Sequence, residues 1–139
     1  MKKILLILFS ILVCELFAQQ KPINKNIEVG MMVQLGKCKS KTKNFESMDL
    51  YTKTRFPETG VKIDTLTGDG IFENFFAPGD FDAKRLPCEY GNKKYKVATL
   101  RIFEIDGKEK RVMILYTGNK LSLIWVEIDK ALELKEIIF

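Results

Sequence analysis

The sequence predicts a mainly β or α+β domain: a small antiparallel sheet with a C-terminal three-strand meander and one or two short helices. Three observations carry this. Residues 94–128 are rich in apolar residues and are cut twice by turn dipeptides, Asp106-Gly107 and Gly118-Asn119. Residues 27–35 alternate apolar and polar at the period of a strand. The last two segments of the meander are apolar on both faces, so something must cover each face.

The first element is a leader. Lys2 and Lys3 precede an apolar run from Ile4 to Val13, broken only by Ser10, and Leu16-Phe17-Ala18 ends on a small residue. That pattern reads as a signal peptide over 1–19, cut after Ala18 or Gln19. A spanning helix needs roughly twenty apolar residues, so no transmembrane span is expected after processing. Two alternatives stay open: a retained anchor, and a lipid on Cys14. A lipid-attachment signal wants a small residue before the cysteine, and Val13 stands there. The expected location is outside the cytoplasm, periplasmic or extracellular, with envelope association open.

Residues 20–26 read as a flexible mature N-terminus, and 27–139 as a single β-rich domain. The whole chain carries 23 basic and 18 acidic residues and no histidine. The basic excess lies in 21–57 and 90–139, while 58–89 is acidic. A moderate positive charge suits solubility and leaves an anionic envelope surface possible as a partner. Nucleic acid is excluded as a partner on the expected location.

Within the domain, Ile27, Val29, Met31, Val33 and Leu35 form the apolar side of a first strand. Lys37, Lys39, Lys41 and Lys43 follow, alternating with Cys38, Ser40 and Thr42. If extended, the four lysines share one face. They then form either a solvated edge that blocks strand pairing or a basic binding stripe. Residues 44–56 fit a short helix capped by Asn44 nearly as well as they fit a strand. Val61 to Leu66 alternates weakly, and Thr67-Gly68-Asp69-Gly70 is a turn. Lys94–Ile105, Arg111–Thr117 and Leu121–Ile128 are the meander strands, with Trp125 in the core. Residues 129–138 read as a helix capped by Asp129, packed through Ile128 and Leu132, or as an edge strand.

Cys38 and Cys88 are an even pair in an exported chain, which predicts one disulfide. Closing a loop of about 50 residues stabilises by up to roughly 4 kcal/mol.

The inventory disfavours catalysis. Without histidine there is no Ser-His-Asp or Cys-His arrangement and no usual zinc ligand. Asp64, Asp69, Glu73, Asp80 and Asp82 lack the ligand spacing of a calcium loop and read as solvated turn acids. Gly68 and Gly70 make no phosphate loop, since no Gly-Lys-Ser/Thr follows and no helix clearly begins there. No metal or cofactor is expected. Phe72, Phe75, Phe76 and Phe81 are core residues, or else an apolar patch at a ligand entrance.

The functional expectation is therefore a secreted or periplasmic non-enzymatic domain that binds a protein or cell-envelope partner. The alternative is a small β-barrel carrier of an apolar ligand. A carboxylate-dependent hydrolase is the remote third reading. The identity of a ligand or partner and the oligomeric state stay open.

Overall fold

The structure is a computed structural model that describes residues 26–56 and 58–139. The expected signal peptide, Cys14 and most of the 20–26 segment lie outside the described residues. One antiparallel sheet dominates. Its strands are β1 (Met32–Leu35), β2 (Asn44–Thr52), β3 (Asp82–Pro87), β4 (Lys94–Ile105), β5 (Lys108–Tyr116), β6 (Ser122–Glu127) and β7 (Ile137–Ile138). Their spatial order is β3-β2-β6-β5-β4-β1-β7. Two short helices, α1 (Ile71–Phe75) and α2 (Ile128–Glu133), complete it. The expected small β-rich domain is what the chain forms, and β4, β5 and β6 are its meander.

The hairpin between β4 and β5 turns on Asp106 and Gly107, both at positive φ, 53° and 72°. That pair of dihedrals matches the right-handed twist of the flanking strands. The register shifts once in β4, between Val97 and Thr99. The extra residue reverses which face the odd-numbered positions of β4 take: Val97 packs in one apolar cluster and Phe103 in the other.

Both faces of the meander are covered. On one side Leu35, Phe45, Met48, Leu86, Met113, Leu115, Ile124 and Val126 pack with Ile128 and Ala131 of α2. On the other, Ala98, Val112, Ile114 and Leu123 pack against Ile71 and Phe75 of α1. We call these the inner and outer faces.

Several expectations change. The first strand is half its expected length, because Val29 and Gly30 turn and Gly30 sits at φ 88°. Ile27 and Met31 still pack partly against the inner core, so the alternation served burial without a regular strand. Residues 44–52 are a strand, and Asn44 caps no helix; its side-chain amide donates to the Thr42 carbonyl at 3.2 Å. Residues 128–138 form both alternatives in succession, helix then strand. Asp129 is not the cap: Glu127 holds that position without a side-chain bond, and Asp129 pairs with Arg111 in the first turn. A helix does begin after Gly70, though it is only five residues long.

The barrel does not close. β3 and β7 end the strand order and do not pair with each other. The sheet nevertheless curls until Glu136, just before β7, meets the start of β2. Its carboxylate accepts the backbone N–H of Glu46 at 2.9 Å and of Ser47 at 3.0 Å, and also the Ser47 hydroxyl. Glu136 is buried, and these donors satisfy it there.

Candidate functional site

The outer face carries the candidate site. Residues 53–56 leave β2, residues 58–81 cross this face and return into β3, and their anchor is the turn before α1. Gly68 lies so close to the irregularity in β4 that a Cβ would stand 2.4 Å from the Ala98 carbonyl oxygen. A Cβ on Gly70 would stand 2.3 Å from the Lys62 carbonyl oxygen. The turn therefore needs both glycines for close backbone approach, at φ 78° and 83°. Asp64 serves the same turn, accepting the backbone N–H of Leu66 at 2.8 Å. Asn74 holds the preceding loop onto α1: its amide donates to the carbonyls of Val61 at 2.9 Å and Gly70 at 2.7 Å, and its oxygen accepts from Thr59.

This arrangement leaves an open groove of about 1130 Å³ between the loop, α1 and the β5–β6 connection. Phe56 and Ile63 form the loop wall, and Ile71 and Phe75 the helix wall. Tyr116, Leu121 and Leu123 form the sheet wall. Polar side chains are few: Thr65, Asn74, Asn119 and Lys120. Burial pushes the Tyr116 phenol up from its ordinary pKa, so it stays a neutral hydroxyl near pH 7. The volume is slightly above the roughly 300–1,000 Å³ usual for small-molecule sites, and the apolar lining is typical of them.

The four singled-out phenylalanines come together around Phe76. Its ring centre is 4.8 Å from Phe72, 5.0 Å from Phe75 and 5.9 Å from Phe81. Tyr51 and Trp125 join them, at 5.2 Å and 5.6 Å from Phe76. Only Phe75 of the four lines the groove. Phe72 and Phe76 are half-buried supports behind it, and Phe81 is partly exposed. Arg101 covers Phe72 at 4.9 Å from the ring centre and pairs with Glu73.

Cys38 and Cys88 are disulfide-bonded, with Cα atoms 5.3 Å apart. The lysines around Cys38 are all exposed, but they do not form a strand. Lys41 to Lys43 turn, Lys43 takes φ 61°, and its N–H donates to the Ser40 carbonyl at 3.3 Å. The condition for a single lysine face is thus not met: the four lysines sit on a loop tied to Cys88. None of them makes an ion pair among the described residues.

The turn acids are scattered. Asp80 lies 3.8 Å from Arg55, Glu73 pairs with Arg101, and Asp69 and Asp82 are exposed. Among the described residues no three acidic or sulfur side chains gather as a metal site would require.

Sequence reasoning missed the groove residues Phe56, Ile63, Tyr116 and Leu121. The available signal was Val61, Ile63 and Leu66: apolar residues in a turn-rich segment with no regular element to bury them. The chain matches no protein-family model, no curated protein and no solved structure.

Proposed function

We propose that this is an exported, non-enzymatic binding domain that holds an apolar ligand in the outer-face groove. The observation that carries the reading is the groove: a large cleft, walled on three sides by aliphatic and aromatic side chains, with its one buried amide, Asn74, spent on holding the loop. Keeping such a surface wet costs free energy that an apolar ligand would recover. The disulfide and the leader-like first residues support export. The site differs from a barrel lumen, since the ligand lies outside the sheet and not within it.

A direct test is titration of the oxidised protein with diphenylhexatriene, an uncharged apolar fluorophore. Saturable one-to-one binding is expected, weakened at least about tenfold by Ile63→Asp, at a position exposed enough for the new charge to stay hydrated; an unchanged urea midpoint checks that the variant is folded. A folded protein that shows no saturable binding would overturn the reading.

A protein or anionic envelope partner remains the second reading, favoured by Lys37, Lys39, Lys41 and Lys43 exposed together on one disulfide-tethered loop. Vesicles containing phosphatidylglycerol should then sediment the protein. Glu at Lys39, Lys41 and Lys43 should abolish this; unchanged sedimentation would reduce the loop to a solvated surface.

A further inference from the structure

We propose that the occupant of the groove is a single-chain amphiphile with an anionic head group, such as a long-chain carboxylate. The proposal rests on the binding reading above and assigns its ligand class. The groove is mostly apolar, and Lys120, at the β5–β6 connection, is the single charged residue lining it among the described residues. Lys120 is exposed and makes no ion pair among the described residues.

A second cation lies behind the same wall. Lys53 follows β2 and is only 7% exposed, yet no carboxylate pairs with it among the described residues. Its Nζ donates to the Gly79 carbonyl at 2.8 Å and stands 5.3 Å from the centre of the Phe75 ring. An ammonium has three donors, and a buried one ordinarily finds an anion. Lys53 lines a side pocket of about 450 Å³ that shares Phe56 with the groove. Arg55, Glu58 and Asp80 line it too, and Arg55 and Asp80 offset each other at 3.8 Å. Groove and side pocket together carry three cations, Lys53, Arg55 and Lys120, against two carboxylates, Glu58 and Asp80.

An apolar trough with a net positive end selects a tail with a negative head. A cationic amphiphile would meet Lys120 unfavourably. An extended peptide would bring backbone N–H and C=O groups against walls that leave them unpaired.

The test is calorimetric titration of the disulfide-bonded protein with hexadecanoate, hexadecanol and hexadecyltrimethylammonium, each below its aggregation threshold. Hexadecanoate should bind about tenfold tighter than hexadecanol, the factor expected of one charge-assisted hydrogen bond, and the cation should bind most weakly. Lys120→Glu, at an exposed position, should erase or reverse the order while the urea midpoint stays put. Equal affinity for hexadecanoate and hexadecanol overturns the head-group assignment and leaves the groove standing. Retention of the carboxylate preference by Lys120→Glu overturns the role of that lysine. Failure of all three to bind the folded protein overturns the groove reading itself.

Discussion

The two faces of the sheet are closed by different means. The inner face is sealed by regular elements: α2, the curl of β7 toward β2, the Glu136 carboxylate and the disulfide beside them. The outer face is covered by a loop-rich segment whose only regular piece among the described residues is α1. The inner cluster is the larger one and contains nearly all of the most deeply buried side chains. The outer cover leaves Phe56, Val61, Ile63 and Leu66 in contact with water, Leu66 at 86% exposure. The deeply packed side chains thus lie mainly on one side of the sheet, and solvent-exposed apolar ones lie on the other.

Substitutions can break this contrast. Leu115→Ala removes a fully buried inner side chain and should cost about 2–5 kcal/mol in urea unfolding, whereas Leu66→Ala on the outer loop should stay within about 0.5 kcal/mol. Similar costs for the two would erase the distinction. Cys88→Ser should lower stability by about 2–4 kcal/mol under oxidising conditions, and in the parent protein neither Cys38 nor Cys88 should take a thiol label after denaturation without reductant. Glu136→Ala strips the acceptor from two backbone N–H groups and a serine hydroxyl, and should cost about 1–3 kcal/mol; Glu136→Gln should recover part of it.

The outer face should respond locally. Gly68→Ala forces a side chain toward the Ala98 carbonyl at positive φ, worth more than about 1 kcal/mol of strain. Hydrogen exchange should quicken over 61–76 and apolar-probe binding should fall, while inner-face amides keep their protection. Uniform loss of protection would show that the two faces unfold as one.

The smallest expected effect concerns pH. Asp49 lies at the β2–β3 edge, and its pKa is raised, burial being the larger cause and Arg85 at 3.3 Å offsetting part of it. A carboxyl whose folded pKa exceeds its unfolded value favours the folded state while protonated. That contribution fades as pH rises from the unfolded to the folded value. Asp49→Asn should therefore gain slightly on the parent at pH 7, by less than about 1 kcal/mol, and match it near pH 3. A loss at pH 7 would mean that the Arg85 pair outweighs the burial.

The meander was legible in the sequence because its signals are local. Asp106-Gly107 states its own turn type, and runs apolar on both faces state their own burial. The Cys38–Cys88 bond was legible by elimination, since these are the only two cysteines beyond residue 19 of the sequence. Residues 44–52 were ambiguous because the irregular pairing between Asn44 and Asp49 breaks the period-two pattern that would have identified a strand. The closing of the sheet was not legible at all. A glutamate three residues past the end of α2 gives no sign that two backbone amides some ninety positions earlier will need it. The groove was hidden for a related reason: it is made by a loop draped over a sheet, and neither wall shows a periodicity that names the other.

The strand order also bears on how the chain reaches this state. Gln34 pairs with Lys94 on one side and with Ile138 on the other. The second pairing joins positions on the order of a hundred residues apart, and contacts of that span carry a large loop-closure cost and form late. The meander, built from neighbouring hairpins, can assemble first and offer β4 as a template for β1. Until β7 arrives, β1 presents an open edge and the Glu46 and Ser47 amides have no acceptor from Glu136. The closing event therefore also covers the Gln34–Leu35 stretch of the β1 edge, which is open to strand pairing until then.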